Sequence, residues 1–183
     1  SDITPVEADN TRGDRSICGD CPHRKQADGS RSCYVNVGQA PNSIYKSYKN
    51  GRYKVGSRKQ IKAVVTGRKV RWGAYGDPSI IPVTVVKEVN SYSSGWTGYT
   101  HQWKESWCAA FRGIFQASCD GLMEYLDATA HGWKTFSVLP KGYVKNTLHK
   151  HVRQCPATFE NSVATCSTCS LCDGNKLDIY VEA

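Results

Sequence analysis

The chain lacks several features that assign a protein to a common class. No apolar stretch approaches the roughly 20 residues that a membrane-spanning helix needs. The first residues, Ser-Asp-Ile-Thr-Pro, are polar and do not form the apolar segment of a secretory signal. Neither G-x-G-x-x-G nor G-x4-G-K-[ST] occurs, so no motif indicates a dinucleotide or ATP site. We therefore expect a cytoplasmic protein with no membrane partner.

Cysteine, in contrast, is abundant, with nine among 183 residues. The odd number, the length of the chain and the absence of a secretory signal weigh against a disulfide framework, although that alternative stays open. Cys108 lies beside Trp107 in an apolar run and is expected to be a small core residue. Cys119 precedes a predicted helix and is either a further metal ligand or a thiol of lowered pKa. The other seven cysteines form two groups.

The C-terminal group has the spacing of an iron-sulfur site. Cys166, Cys169 and Cys172 form an unbroken C-x2-C-x2-C run, and Cys155 stands upstream, followed by Pro156. In bacterial ferredoxins a C-x2-C-x2-C triplet is completed by a Cys-Pro, which lies downstream rather than upstream. The spacing predicts a [4Fe-4S] cluster on these four thiolates, with a four-thiolate zinc site as the alternative.

The N-terminal group offers three thiolates. Cys18, Cys21 and Cys33 give C-x2-C followed by a third cysteine after eleven residues. This group is a candidate for a second cluster or for zinc. The sequence leaves its fourth ligand open among four candidates: Cys119, His23, Asp20 and an external molecule.

The net charge of +8 suggests an anionic partner such as a nucleic acid. Lys and Arg are frequent between residues 52 and 71, with tyrosines nearby at 45, 48 and 53. Such a stretch can bind phosphates and stack on bases, but it is also typical of a solvated helix face. Each four-thiolate site would carry about −2 when filled, which reduces this positive excess.

The order of the predicted elements indicates an α/β fold. We predict strands at 69–75, 96–100, 112–117 and 133–139, helices at 58–65, 80–92, 104–110 and 121–130, and an edge strand at 177–181. Alternating strands and helices favour a parallel sheet with right-handed crossovers. Four such units make a half barrel or an open sheet. We expect one domain, with a cysteine-rich segment at 1–56, an α/β core at 57–140 and a second cysteine-rich segment at 141–183.

Candidate functional side chains follow the predicted strands. In parallel sheets ligands bind beyond the carboxyl ends of the strands, where this chain carries Asp77, His101 and Gln102. Asp77 and His101 are candidates for proton transfer, and Gln102 is a candidate for orienting a ligand. The alternative is structural, because an Asp before Pro is a natural helix N-cap and a histidine can satisfy a turn.

Several motifs together carry a resemblance to a known family. They are Cys18-Gly-Asp-Cys21-Pro22, Cys33-Tyr-Val-Asn36, Arg71-Trp-Gly-Ala-Tyr-Gly-Asp77-Pro78, Thr97-Gly-Tyr-Thr-His-Gln-Trp103, Trp133-Lys-Thr-Phe136 and Cys155-Pro-Ala through to Gly174. Over most of its length the chain resembles a phage-encoded, cysteine-rich family that looks like a cut-down relative of the radical S-adenosylmethionine proteins. The resemblance implies an iron-sulfur protein of the host bacterial cytoplasm, with a partial barrel and an electron donor or host protein as partner. The C-x3-C-x2-C loop of true radical enzymes is absent.

Three hypotheses follow from these patterns. The first is an iron-sulfur protein whose cluster, one or two in number, has a redox, structural or radical-type role. The second is a zinc-stabilised nucleic-acid-binding module that uses residues 52–71. The third is a redox enzyme in which His101 and Asp77 act beside the cluster.

Overall fold

Seven short strands, all paired in parallel, form the centre of the part of the chain that the structure describes. The computed structural model describes residues 2–142 and 152–183. Its strands are β1 (Lys69–Arg71), β2 (Gly95–Thr97), β3 (Tyr99–Thr100), β4 (Gln116–Asp120), β5 (Thr135–Leu139), β6 (Val152–Gln154) and β7 (Asp178–Glu182). β1 pairs with β2, and the other five strands form a sheet in the order β3-β4-β5-β7-β6.

The two sheets are joined through one extended segment that contains both β2 and β3. Gly98 separates these strands, and its carbonyl accepts a hydrogen bond from the amide of Gln116 in β4 at 3.0 Å. A Cβ atom on Gly98 would lie 2.6 Å from the ring of Phe115, so the close approach of these two segments of the chain requires glycine here. The spatial order is therefore β1, then β2 and β3, then β4, β5, β7 and β6.

Helices surround the sheet. They are α1 (Pro5–Thr11), α2 (Arg15–Cys18), α3 (Ala40–Lys49), α4 (Arg58–Val65), α5 (Val83–Tyr92), α6 (Leu122–Ala130) and α7 (Cys166–Cys169), with 3-10 turns at Pro78–Ile80, Gln102–Lys104, Ser106–Phe111 and Pro156–Thr158. Ser57 begins α4 with a capping box, because its side chain accepts from the amide of Gln60 and the Gln60 side chain accepts from the amide of Ser57. None of the helices among the described residues combines the length and the apolar character needed to cross a membrane.

One face of the sheet forms the hydrophobic core. Ala117, Cys119 and Leu139 point to this face, where Val86 of α5 and Tyr125 of α6 pack against them. Because side chains alternate along a strand, their neighbours point to the opposite face. There Tyr99 contacts Phe136, with 4.5 Å between the ring centroids.

The prediction of an α/β fold with a parallel sheet is confirmed. Helix α4 has the predicted bounds, and α6 begins one residue after the predicted start. Cys108 lies in the core, as expected. Between β1 and β6, the two outer strands, the structure gives no pairing among its described residues, which agrees with an open sheet.

Several element boundaries were predicted wrongly. The third strand is not at 112–117 but at Gln116–Asp120, because Gly113 adopts a φ of 79° and turns the chain first. The segment predicted as a helix at 104–110 forms two 3-10 turns. The first strand ends at Arg71 rather than 75, before Gly73 and Gly76, both of which have positive φ.

The C-terminal strand was also misplaced. The strand predicted at the sheet edge, β7, lies inside the sheet between β5 and β6. The outer position belongs to β6, which periodicity did not identify because it is only three residues long. The helix predicted from residue 80 begins at Val83, after Pro82, which cannot donate a backbone hydrogen bond.

Candidate metal centres and the strand-end site

The four C-terminal cysteines line one cavity. Cys155 follows β6, and its amide donates to the carbonyl of Tyr180 at 2.8 Å, which joins it to β7. Cys166 and Cys169 are the first and last residues of α7. The cavity has about 330 Å³ of space between atoms, part of it open to solvent. Its lining includes the four cysteines together with Thr97, Tyr99, Pro156, Ala157, Leu171 and Ile179.

The thiols of this group interact electrostatically. The pKa of Cys172 is raised to about 12, mainly by burial and also by the charges of Cys155, Cys166 and Cys169. A hydrogen bond from Tyr99 opposes this rise in the pKa of Cys172. The same contact and burial raise the pKa of Tyr99 well above its ordinary value, with burial as the larger cause. Neighbouring thiolates repel one another, and a cation bound between them would offset this repulsion and favour their ionised form.

Polar contacts fix the loop that carries Cys172 against the sheet. The carbonyl of Cys172 accepts from the amide of Gly98 at 3.1 Å. The indole of Trp96 donates to the carbonyl of Asp173 at 3.2 Å. The Asp173 carboxylate accepts from the amides of Asn175 and Lys176 at 3.0 and 3.1 Å. The loop therefore has a defined position relative to β2 and β3.

The N-terminal cysteines also come together. Burial raises the pKa of Cys18 to about 12 and that of Cys21 to about 11. The charge of Cys33 raises both pKa values, and the Cys33 amide donates to the carbonyl of His23 at 2.9 Å. All three thiols are half-buried.

The candidates for a fourth ligand of this trio differ in position. Cys119 is fully buried in the helix-covered core, where its thiol donates to the carbonyl of Ala117 at 3.6 Å. Asp20 forms an exposed ion pair with Arg15 at 2.7 Å. His23 contacts the trio through its backbone, since its amide donates to the sulfur of Cys21.

Asp77 and Gln102, two residues predicted at the strand ends, make structural contacts. Asp77 caps the 3-10 turn that follows it, accepting from the amide and hydroxyl of Ser79 at 3.0 and 2.7 Å. Gln102 is 4% exposed; its amide group donates to the carbonyl of Cys18 at 3.2 Å and accepts from the amide of Asp20 at 3.4 Å. The N-terminal cysteine segment is therefore attached directly to the carboxyl end of β3.

His101, the third predicted residue, lies beside Asp77 and two other polar groups. Its amide donates to the second carboxylate oxygen of Asp77 at 2.8 Å. Its ring makes an edge contact with the ring of His23, with centroids 5.2 Å apart. Burial lowers the pKa of His101, with Asp120 opposing that shift. The structure thus brings His101, His23 and Asp120 to one place.

The periodicity and spacing of the sequence did not identify His23 as a neighbour of His101 and Asp120. His101 and Asp120 follow adjacent strands, so the sequence could place both at one edge of the sheet. His23 and Asp120 are 97 positions apart, and their contact depends on how the N-terminal segment packs against the sheet. The sequence names His23 only as a candidate ligand of the cysteine trio.

Some of the positive charges between residues 52 and 71 interact with other groups of the protein. Arg58 forms an exposed ion pair with Glu88 at 3.4 Å, and Lys62 lies over the ring of Tyr92. Lys69 donates to the carbonyl of Thr168 at 3.0 Å, in the helix that carries Cys166 and Cys169. Part of this stretch therefore stabilises the fold, and α4 presents the rest on an exposed surface.

Within residues 2–142 and 152–183, a group of His, Cys, Asp or Glu ligand atoms that all lie within 4.8 Å of one another is found at His23, His101 and Asp120. In that part of the chain the cysteine sulfurs form no group of three with so short a spacing. Comparisons of the chain with known protein families, with curated proteins and with solved structures found no match. The function must therefore be inferred from these side chains.

Proposed function

We propose that this chain is an iron-sulfur protein that holds a [4Fe-4S] cluster on Cys155, Cys166, Cys169 and Cys172. The observation that carries the proposal is that these four cysteines, three of them in a C-x2-C-x2-C run, line one cavity. Four thiolates are the usual ligand set of such a cluster. The resemblance to a phage-encoded family adds the proposal that the protein works in the cytoplasm of an infected bacterium.

The sequence spacing supports a cluster over a single zinc ion. The C-x2-C-x2-C run places three thiolates in one short loop, where each could bind a different iron of one cubane.

The surroundings of Cys172 contain two features that would affect the reduction potential of a cluster in this cavity. Cys172 is buried, and it accepts a hydrogen bond from Tyr99. Hydrogen bonds to ligand sulfurs and exclusion of solvent are the means by which a protein sets the potential of a cluster. We propose electron transfer or structural support as the role, and we propose that the parallel sheet is related to half of a barrel.

A second cluster on Cys18, Cys21 and Cys33 extends the proposal. Three thiolates leave one iron without a protein cysteine, which is the arrangement that binds S-adenosylmethionine in radical enzymes. The trio is attached to the strand ends through Gln102. This position beside His101 would place the open iron near polar groups that could contact a substrate.

Metal and sulfide analysis of protein purified without oxygen tests the proposal. We expect about four irons and four acid-labile sulfides per chain for one cluster, and about eight of each for two. Cys169→Ala should lose the C-terminal cluster. Cys108→Ala removes a core thiol instead and should keep the full content. Zinc without sulfide in the parent protein would refute the proposal.

The alternative function is a zinc-stabilised nucleic-acid-binding module. The observation that favours it is that Tyr48 and Tyr53, which shortly precede the exposed basic helix α4 in the sequence, are themselves exposed. Aromatic side chains among Lys and Arg suit single-stranded nucleic acid. Affinity for an oligonucleotide should then fall steeply as salt rises. No binding at low salt would exclude this function.

A further inference from the structure

A third group of possible metal ligands lies outside both sets of cysteines. One ring nitrogen from each of His23 and His101 and a carboxylate oxygen of Asp120 lie within 4.8 Å of one another. The three residues come from separate parts of the chain: the loop after Cys21, the end of β3 and the end of β4. The fold, rather than a local sequence motif, brings them together.

Contacts around the group hold its side chains in place. Nδ1 of His23 lies 2.8 Å from the hydroxyl of Ser32, which leaves Nε2 facing Asp120 at 3.1 and 3.3 Å from the two carboxylate oxygens. The amide of Asp120 donates to Glu124 at 2.8 Å. A metal-binding histidine usually has a hydrogen-bond partner on its other nitrogen, as His23 has in Ser32, because that contact fixes the orientation of the ring.

An unsatisfied nitrogen provides independent evidence. Nε2 of His101 is buried and has no hydrogen-bond partner in the described protein. Leaving a buried polar atom without a partner is costly, and such atoms in native structures call for an explanation. The backbone of His101 is meanwhile fixed by its bond to Asp77, which holds the residue at the carboxyl end of β3. A bound cation is one way to satisfy a nitrogen of this kind.

We propose that His23, His101 and Asp120 bind one divalent transition-metal ion of the class that includes Zn²⁺ and Fe²⁺. Two imidazoles and one carboxylate are a ligand set that these ions accept. Three protein ligands leave at least one coordination position for water or a substrate, which distinguishes catalytic from structural sites. The site does not use the cysteines, so it does not depend on the iron-sulfur proposal.

The test uses Zn²⁺ as the probe and the complete chain, reconstituted anaerobically with iron and sulfide. Zinc content is measured by equilibrium dialysis, and X-ray absorption at the zinc edge identifies the ligand atoms. We expect one zinc ion per chain with nitrogen and oxygen ligands only. Asp120→Asn and His101→Phe should each weaken zinc binding about 100-fold or more, since loss of an outer partner alone costs about 10- to 100-fold.

His131→Ala is the matched control. His131 is an exposed histidine that also lies beside a carboxylate, 3.1 Å from Asp127, but it belongs to no three-ligand group. Its removal should leave zinc binding unchanged. Ser32→Ala should weaken zinc binding about tenfold or more, because Ser32 orients the ring of His23.

Two results would overturn the proposal. Zinc bound through sulfur ligands, with no zinc on nitrogen and oxygen ligands, would place the ion on cysteines and show that this site is empty. Unchanged zinc binding in folded Asp120→Asn would show that the carboxylate is not a ligand. Circular dichroism establishes whether each variant folds. If His101→Phe does not fold, Asp120→Asn decides the question, because the side chain of Asp120 is partly exposed and asparagine has nearly the same shape. Absence of iron and sulfide would refute the iron-sulfur proposal alone.

Discussion

A sequence pattern does not distinguish a polar residue with a structural role from one with a catalytic role, and the strand ends contain two examples. Gln102 was a candidate for orienting a ligand, yet it is buried and bonded to the backbone of the N-terminal cysteine segment. Asp77 is bonded to Ser79 and to the amide of His101. Both side chains therefore have a role in positioning their neighbours, whatever reaction the protein performs.

Gln102→Ala should destabilise the protein by about 1 to 3 kcal/mol, because the carbonyl of Cys18 loses one of its two donors and the amide of Asp20 loses its acceptor in a partly buried setting. The midpoint of urea unfolding measures this change. Gln39→Ala, at an exposed position whose side chain makes no capping bond, should change the free energy of unfolding by less than about 0.5 kcal/mol. Equal stability of the two variants would contradict the structural role of Gln102.

The glycine between β2 and β3 makes a second residue-scale prediction possible. In Gly98→Ala the new methyl group would lie 2.6 Å from the ring of Phe115, which is fully buried and cannot move away freely. Overpacking of this kind costs about 1 to 3 kcal/mol. In Gly56→Ala the nearest atom is Cγ1 of Ile61 at 3.4 Å, an ordinary contact. Thermal unfolding of both variants should show a lower midpoint for Gly98→Ala alone.

At the scale of elements, the sequence predicts best what local signals determine. The bounds of α4 follow from the Ser57 cap and from Gly67, which has a positive φ and lies just after the helix. β7 was recognised as a strand, but its place between β5 and β6 depends on pairing with distant residues. Local periodicity contains no information on such pairing, which explains why β6 was missed and β7 was placed at the edge.

Two capping boxes allow a test of the helix that carries cysteines. Thr165 caps α7 as Ser57 caps α4, in each case through the residue three positions later. Thr165→Ala and Ser57→Ala should each cost about 1 kcal/mol of stability. Only Thr165→Ala should also speed the loss of iron absorbance when a chelator is added, because α7 positions Cys166 and Cys169. A similar rate of iron loss in both variants would mean that α7 does not control the site.

At the scale of the whole molecule, the sequence predicted the two groups of cysteines but not the third group of ligands. Cysteine spacing is local within each group, so the convergence of Cys166, Cys169 and Cys172 could be expected. The meeting of His23 with His101 and Asp120 requires the N-terminal segment to lie across the strand ends. That packing depends on the contacts of Gln102 and Asp77, which no spacing rule contains.

The net charge of the molecule gives the last prediction. The thiols of Cys18 and Cys172, with pKa values near 12, are neutral at pH 7 in protein without metal, so the formal charge of +8 applies to that form. A filled four-thiolate cluster carries about −2, which lowers the total to about +6. Native electrophoresis without oxygen should therefore show slower migration towards the cathode after reconstitution, and Cys169→Ala should show a smaller change because it loses the C-terminal cluster. A cluster-loaded protein that migrates like the metal-free form would mean that the thiolates of the site do not ionise on loading, and a four-thiolate cluster would then be excluded.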